Sequence, residues 1–222
     1  MSKTPRTFDP PSHPDGRLDA PAFHRNHEPI WSVLAPYLEH ATGDVLEAGS
    51  GTGQHVVEFA RQSPQLVWWP ADYDPQHLQS IDAWRTHADL PNIRPARFID
   101  LSAPDWGLSA DDSRALTHLT AIFCANVIHI APWPVAEGLL RDAARRLRAD
   151  GKLFLYGPFK RDGAHTAPSN EAFDQSLRSR DPSWGVRDIA DVEPLANQNG
   201  LSLASIVPMP ANNMILVFER KT

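Results

Sequence analysis

The chain holds one cysteine, Cys124, in 222 residues. A lone thiol cannot form an internal disulfide, so no oxidising compartment is implied. Zinc sites built on cysteine pairs are excluded for the same reason. No run approaches the roughly 18 consecutive apolar residues that read as a membrane span. The N-terminal stretch MSKTPRTFDPPSHPDGR lacks the apolar centre of a signal peptide. The expected location is therefore the cytoplasm, with no membrane partner. A basic excess is missing too: Lys+Arg is 21 against Asp+Glu 27, a net charge of −6. Proteins that wrap a nucleic-acid backbone usually carry the opposite balance, which weighs against nucleic acid as a partner. Internal repeats and low-complexity tracts are absent. What is present is a globular composition, 41% hydrophobic and 22% charged, with material for a sizeable core.

Residues 1–22 hold five prolines among polar residues and read as a flexible arm. From residue 23 onward a single domain suffices. Ile30, Leu34, Leu38 and Ala41 mark a helix face, which Pro36 should kink or end. From Gly43 short apolar runs alternate with helical patterns. The runs are Asp44–Ala48, Leu66–Trp69, Ala96–Ile99, Thr120–Ile128, Lys152–Tyr156, Leu203–Val207 and Asn213–Glu219. Asp74-Pro75 opens one intervening helix as N-cap and first-turn proline. Another, carrying Val135, Leu139, Ala143 and Leu147, is expected to close on arginines and a Gly151 cap. Strand–helix alternation means a parallel sheet covered on both faces. The last two runs, too close for a helical crossover, should form an antiparallel hairpin. The expected architecture is an α/β, Rossmann-like, doubly wound and mostly parallel seven-stranded sheet.

The sharpest signal is Val45-Leu46-Glu47-Ala48-Gly49-Ser50-Gly51-Thr52-Gly53, between the first strand and the next helix. Glycines let such a turn approach a ligand closely. The dinucleotide pattern G-x-G-x-x-G fails because Gln54 and Val56 stand where a glycine is needed. The phosphate-cradling G-x-x-x-x-G-K-[ST] pattern is absent, and no basic residue is at hand to pair with pyrophosphate. An acid, Glu47, precedes the first glycine instead. Asp72 closes the next strand 19 residues after Gly53, close to the spacing of roughly 20 at which an acid accepts ribose hydroxyls. Asp100, at the end of the third strand, suits an exocyclic amine. A nucleoside joined to a positive charge, without phosphate, describes S-adenosylmethionine.

The three motifs at successive strand ends resemble those of class I S-adenosylmethionine-dependent methyltransferases. The chain is more closely similar to the methyltransferase-like 26 family of bacteria and animals. That likeness rests on Arg25-Asn26-His27-Glu28-Pro29-Ile30, Ser50-Gly51-Thr52-Gly53-Gln54-His55, Asn126-Val127-Ile128-His129-Ile130-Ala131-Pro132-Trp133 and Tyr156-Gly157-Pro158-Phe159-Lys160-Arg161-Asp162-Gly163. The class I resemblance implies Gly49, Gly51 and Gly53 beside the methionine moiety, Asp72 at the ribose and Asp100 at the adenine. The neighbouring Ser50, Tyr73 and Leu101 complete the implied cofactor contacts.

Methyl transfer from a sulfonium is an in-line displacement, so positioning supplies much of the acceleration. A base is needed only where the acceptor must lose a proton. Asn126 is the expected contact for the cofactor's amino acid end, and His129 the candidate base. The alternative for His129 is a histidine hydrogen-bonded under the loop Ala131-Pro132-Trp133. The loop from Tyr156 to Asn170 is read as the wall of the acceptor site, with Tyr156, Phe159, Lys160 and His165 in it. Trp133 flanks the same edge, and Lys160 with Arg161 hints at an anionic acceptor. Arg25 and Asn26 precede a helix able to fold over the cofactor. His24-x-x-His27 lacks a completing carboxylate, so no metal is expected. Cys124 reads as core. The expected function is methyl transfer to a small molecule. The alternative is a non-catalytic module or partner subunit that only binds S-adenosylmethionine. The missing third glycine disfavours a nicotinamide dehydrogenase.

Overall fold

The computed structural model describes residues 10–221; residues 1–9 of the expected arm and Thr222 lie outside it. In chain order the elements are α1 (Phe23–Leu38), β1 (Gly43–Ala48), α2 (Gln54–Gln62), β2 (Leu66–Asp72), α3 (Pro75–Ala88) and β3 (Arg97–Phe98). There follow α4 (Ala110–Ala115), β4 (Leu119–Ala125), α5 (Trp133–Arg146), β5 (Leu147–Gly157), β6 (Lys160–Arg161) and β7 (Ala164–His165). The chain closes with α6 (Pro168–Arg180), α7 (Ile189–Gln198), β8 (Leu201–Met209) and β9 (Asn213–Arg220).

Seven strands form one sheet in the order β3-β2-β1-β4-β5-β9-β8. The first five are parallel, β9 runs antiparallel to β5, and β8 antiparallel to β9. This is the mostly parallel α/β sheet with a reversed C-terminal hairpin that the alternation of patterns implies. Residues Leu119–Cys124 of β4 are all buried, as a central strand covered on both faces requires. Val45, Phe123 and Phe154 point to the side of α1 and α2, where Ile30, Leu34, Val56 and Phe59 meet them. Leu46, Ile122 and Leu155 point to the side of α5 and α7, against Leu139, Leu140 and Val192. Each such fully buried aliphatic side chain contributes about 1.5–3 kcal/mol. Among the described residues no helix is long and apolar enough to cross a membrane.

After β3 the chain crosses over to place β4 on the other side of β1. The carboxyl ends of β1 and β4 therefore flank the switch point, where open α/β sheets bind ligands.

Four local expectations are corrected. Helix α1 runs through Pro36 to Leu38; burial of Ile30, Leu34 and Leu38 along one face outweighs the lost hydrogen bond. Strand β4 ends at Ala125 rather than Ile128, because Asn126 turns into the left-handed region at φ 62° and Val127–His129 form a 3₁₀ turn. Strand β3 is only two residues long, so Asp100 sits in the loop beyond it. Helix α5 ends at Arg146, and Gly151 lies inside β5, where a Cβ would stand 2.8 Å from the Leu119 carbonyl oxygen.

The described part of the N-terminal segment packs on the domain. Leu18 is buried, its N–H donating to Ser80 Oγ at 2.8 Å and its carbonyl accepting from Trp84 Nε1 at 2.8 Å. The Arg17 guanidinium lies 4.6 Å from the Trp84 ring centre.

Candidate active site

β1 delivers Glu47 and Ala48 to the glycine turn. The amides of Gly49 and Ser50 both donate to the Ala71 carbonyl, at 2.8 and 2.9 Å, which fastens the turn to β2. Ser50 is buried, and its hydroxyl donates to the Glu47 carbonyl at 3.0 Å. Gly49, Gly51 and Gly53 all have left-handed φ, at 77°, 56° and 90°. A Cβ on Gly49 would stand 2.3 Å from Val127 Cγ2, and one on Gly53 2.8 Å from the Ile81 Cα. Beside Gly51 nothing lies within 4 Å. Packing thus demands glycine at 49 and 53, whereas Gly51 borders open space at the switch point.

Acids stand at or just beyond the carboxyl ends of β1, β2 and β3, and Asp72 touches Gly51. Glu47 is 2% exposed and its Oε2 has no hydrogen-bond partner. Burial, with the charge of Asp72 adding to it, raises its carboxyl to about 8. Asp72 accepts the Gly51 N–H on Oδ2 at 2.8 Å and the Asp74 N–H on Oδ1 at 2.9 Å, with His77 Nδ1 3.2 Å from the same Oδ1. Oδ2 retains capacity for one more donor. Asp100 is half-buried and accepts the N–H and Oγ–H of Ser102, at 2.9 and 2.6 Å. Tyr73 is 52% exposed at the rim. Leu101 is buried and belongs to the core on the α5 side. Asn126, half-buried, follows β4 directly and its N–H donates to the Tyr156 carbonyl at 2.8 Å. Asp72 and Asp100, with Glu47 held protonated by its burial at neutral pH and no basic residue in the turn, suit hydroxyls or an amine better than phosphate.

His129 is fully buried. Its Nδ1 accepts the Arg187 N–H at 3.2 Å, its ring meets Phe159 edge-on at 4.8 Å, and Nε2 has no partner. A Cβ on Gly157 would fall 2.5 Å from that Nε2. Burial, reinforced by the Arg187 charge, lowers its pKa to about 3. Arg187 also donates to the carbonyls of Ile128 and Ala131, at 2.8 and 2.6 Å. Arg187 thus joins His129 to the loop that follows it.

Several residues assigned to the acceptor wall are engaged with the protein itself. Phe159 is fully buried against His129. Lys160 Nζ pairs with Asp174 Oδ2 at 3.2 Å, and Asp174 also lies 3.4 Å from His165 Nε2 and 3.2 Å from Arg178 Nε. Trp133 is half-buried under Arg187, whose guanidinium is 5.5 Å from its ring centre. Trp106, just beyond Asp100, is fully buried and its Nε1 donates to the Gly138 carbonyl at 2.9 Å.

The remaining residues form a second cluster on the α1 side. Asn26 Oδ1 lies 2.9 Å from His55 Nε2, and burial raises the hydroxyl of Tyr156 above its ordinary value, with Asn26 and the Arg25 charge opposing in part. Arg25, exposed beside Asn26, makes no ion pair with a described residue. His55 is enclosed by Phe23, Phe59 and Phe123, and burial lowers its pKa to about 3. Residues given no role from the sequence hold much of this together. Gln54 accepts from the Ala20 N–H and from Thr52 Oγ1, and donates to Asp19. His55 and Gln54 stood in a motif whose spacing says nothing of partners some 30 residues away. Asp174 and Arg187 have no local pattern at all.

A sequence model of the family described as "Protein of unknown function (DUF938)" matches residues 17–220. The chain belongs to the DUF938 family. Its fold recurs in solved methyltransferases. The S-adenosylmethionine-dependent methyltransferase SibL superposes with a TM-score of 0.72 at 18% identity, over 90% of this chain and 56% of SibL. An O-methyltransferase family protein from Burkholderia thailandensis gives 0.73 at 16%, over 90% and 58%. CalO1, a methyltransferase of calicheamicin biosynthesis solved with S-adenosylhomocysteine bound, gives 0.65 at 16%, over 89% and 55%. The DUF938 chain spans a little over half the length of these proteins, and at such identities the likeness is one of fold.

Proposed function

We propose that this DUF938 protein transfers a methyl group from S-adenosylmethionine to a small molecule in the cytoplasm. The observation that carries the reading is the set of acids around the glycine turn, above all the buried Glu47 oxygen without a partner. A buried acceptor left unpaired is costly, and an N–H-bearing ligand beside Gly51 would relieve it. The methyltransferase fold of SibL and CalO1 supports the reading, as does the likeness to the methyltransferase-like 26 family in the motifs around Arg25, His55, His129 and Tyr156.

S-adenosylmethionine supplies an activated methyl carbon on a sulfonium. The chain's own residues bind and orient. Glu47, protonated at neutral pH, and the turn at Gly49–Gly53 lie at the methionine end, Asp72 Oδ2 takes a ribose hydroxyl, and Asp100 at the loop rim takes the adenine amine. Asn126 borders the methionine end. His129, neutral and enclosed, holds the 128–131 loop and leaves acceleration to positioning. Such a site suits an acceptor that is already nucleophilic.

The test is incubation with methyl-labelled S-adenosylmethionine and a fractionated cell extract. Label in a small-molecule fraction, lost in Asp72→Ala, is the expected outcome. Label in no fraction, with the cofactor still bound, would move the reading to the non-catalytic binding module.

A further inference from the structure

The glycine turn is rich in the residue with the most backbone freedom to lose, so it needs fastenings from outside itself. At the β1 end these are the Ala71 carbonyl and the Asp72 carboxylate, which accept the N–H groups of Gly49, Ser50 and Gly51. At the α2 end they are two side chains. Ser80 Oγ, on α3, donates to the Thr52 carbonyl at 2.7 Å. Gln54 Oε1 accepts the Thr52 hydroxyl at 3.0 Å.

Neither side chain is held by the turn alone. Ser80 Oγ accepts the Leu18 N–H at 2.8 Å, and Gln54 Oε1 accepts the Ala20 N–H at 2.7 Å. Between them, Asp19 Oδ1 accepts an N–H of Gln54 Nε2 at 2.8 Å. Three consecutive residues of the N-terminal segment thus each bond a side chain that bonds Thr52. Thr52, Gln54 and Ser80 are all buried, which shields these bonds from water. The segment is pinned from its other side by Trp84, whose Nε1 donates to the Leu18 carbonyl at 2.8 Å and whose ring centre lies 4.6 Å from the Arg17 guanidinium. The indole has one N–H and it is used there, so Trp84 bonds the segment and not the turn.

We propose that Ser80 and Gln54 are positioning residues for the ligand-facing turn, held in place by residues 17–20, so that docking of this segment and binding of a ligand beside Gly51 favour each other. The coupling is reciprocal: the affinity that the docked segment adds returns as tighter docking when the ligand is bound. The inference rests on the methyl-transfer reading for its probe, S-adenosylhomocysteine.

The experiment pairs calorimetry with S-adenosylhomocysteine and limited trypsin digestion of the full chain, both well below the melting temperature. A cut after Arg17 requires the segment to lift from Trp84 and Ser80, so its rate reports docking. Saturating S-adenosylhomocysteine is expected to slow that cut about three- to tenfold, the range that a single neutral hydrogen bond carries. Trp84→Phe keeps a ring and removes the bond to Leu18; Gln54→Met removes the bonds at residues 19 and 20. Both are expected to weaken S-adenosylhomocysteine by a similar factor, and Trp84→Phe to speed the cut. Val192→Ala, in the core on the α7 side, lowers stability away from the segment and is expected to leave both the affinity and the ligand's effect on the cut as in wild type. If the folded Trp84→Phe and Gln54→Met proteins bind as wild type does, or if the ligand leaves the cut at Arg17 unchanged, the inference is overturned and methyl transfer stands. An equal loss of affinity in Val192→Ala assigns the effect to stability and overturns it as well. A wild type that does not bind S-adenosylhomocysteine overturns the functional reading, and this inference with it.

Discussion

Glu47, His55 and His129 are moved in opposite directions by the same cause, burial. Glu47 is raised from 4.5 to about 8, so between those values the folded chain holds a proton the unfolded chain has released. Its contribution is complete below 4.5 and is lost as pH rises through 8. The two histidines are lowered from 6.5 to about 3, so their contribution is present above 6.5 and lost as pH falls toward 3. Only Glu47 acts between 6.5 and 8, and stability should fall there by roughly 1–2 kcal/mol. Thermal melts across pH are predicted to peak near 6.5 and to decline on both sides. Glu47→Gln should flatten the alkaline decline and leave the acid one. A profile that rises from 6.5 to 8 would contradict the burial of Glu47. At this scale the sequence was legible where chemistry and position coincide, as at Asp72 beside its glycines. It was not legible where a partner is far along the chain. Lys160 reads as a free cation until Asp174 comes back on α6, and His129 reads as a base until Arg187 closes over it.

Elements meet by close approaches that a helical or strand pattern does not record. Gly138 in α5 is one: a Cβ there would stand 1.8 Å from the Leu101 carbonyl oxygen. Glycine to alanine in a helix interior ordinarily stabilises by about 1 kcal/mol. Here the sign should reverse, and Gly138→Ala is predicted to lose several kcal/mol in urea unfolding or to fail to fold. Stabilisation would show that α5 can withdraw from the loop after β3. The N-terminal segment gives a second case. Its proline-rich composition reads as an arm, yet Leu18 is buried and Ser80 Oγ joins it to the Thr52 carbonyl at 2.7 Å. Leu18→Ala should cost about 2–5 kcal/mol in the same unfolding assay, and wild-type stability would mark the docking as weak. A single apolar residue among prolines carries no period, which is why this contact was invisible beforehand. The amphipathic stripe of α1 was visible, and it prevailed over the two prolines inside the helix.

Over the whole molecule, strand and helix alternation fixed the sheet class, and the short span before β9 fixed the reversed hairpin. Parallel strands buried on both faces leave long apolar runs, so the order of elements is written plainly in this chain. The site is written less plainly. Its acids and glycines are local to strand ends, but the pairing of α1 with α2 at Asn26 and His55 arises only on folding. The same fold serves many chemistries, so the account stands or falls on what enters the crevice between β1 and β4. Calorimetric titration of the full chain with S-adenosylhomocysteine measures this directly. One-site binding in the micromolar range is predicted, weakened in Asp72→Ala. No heat at millimolar ligand would contradict it.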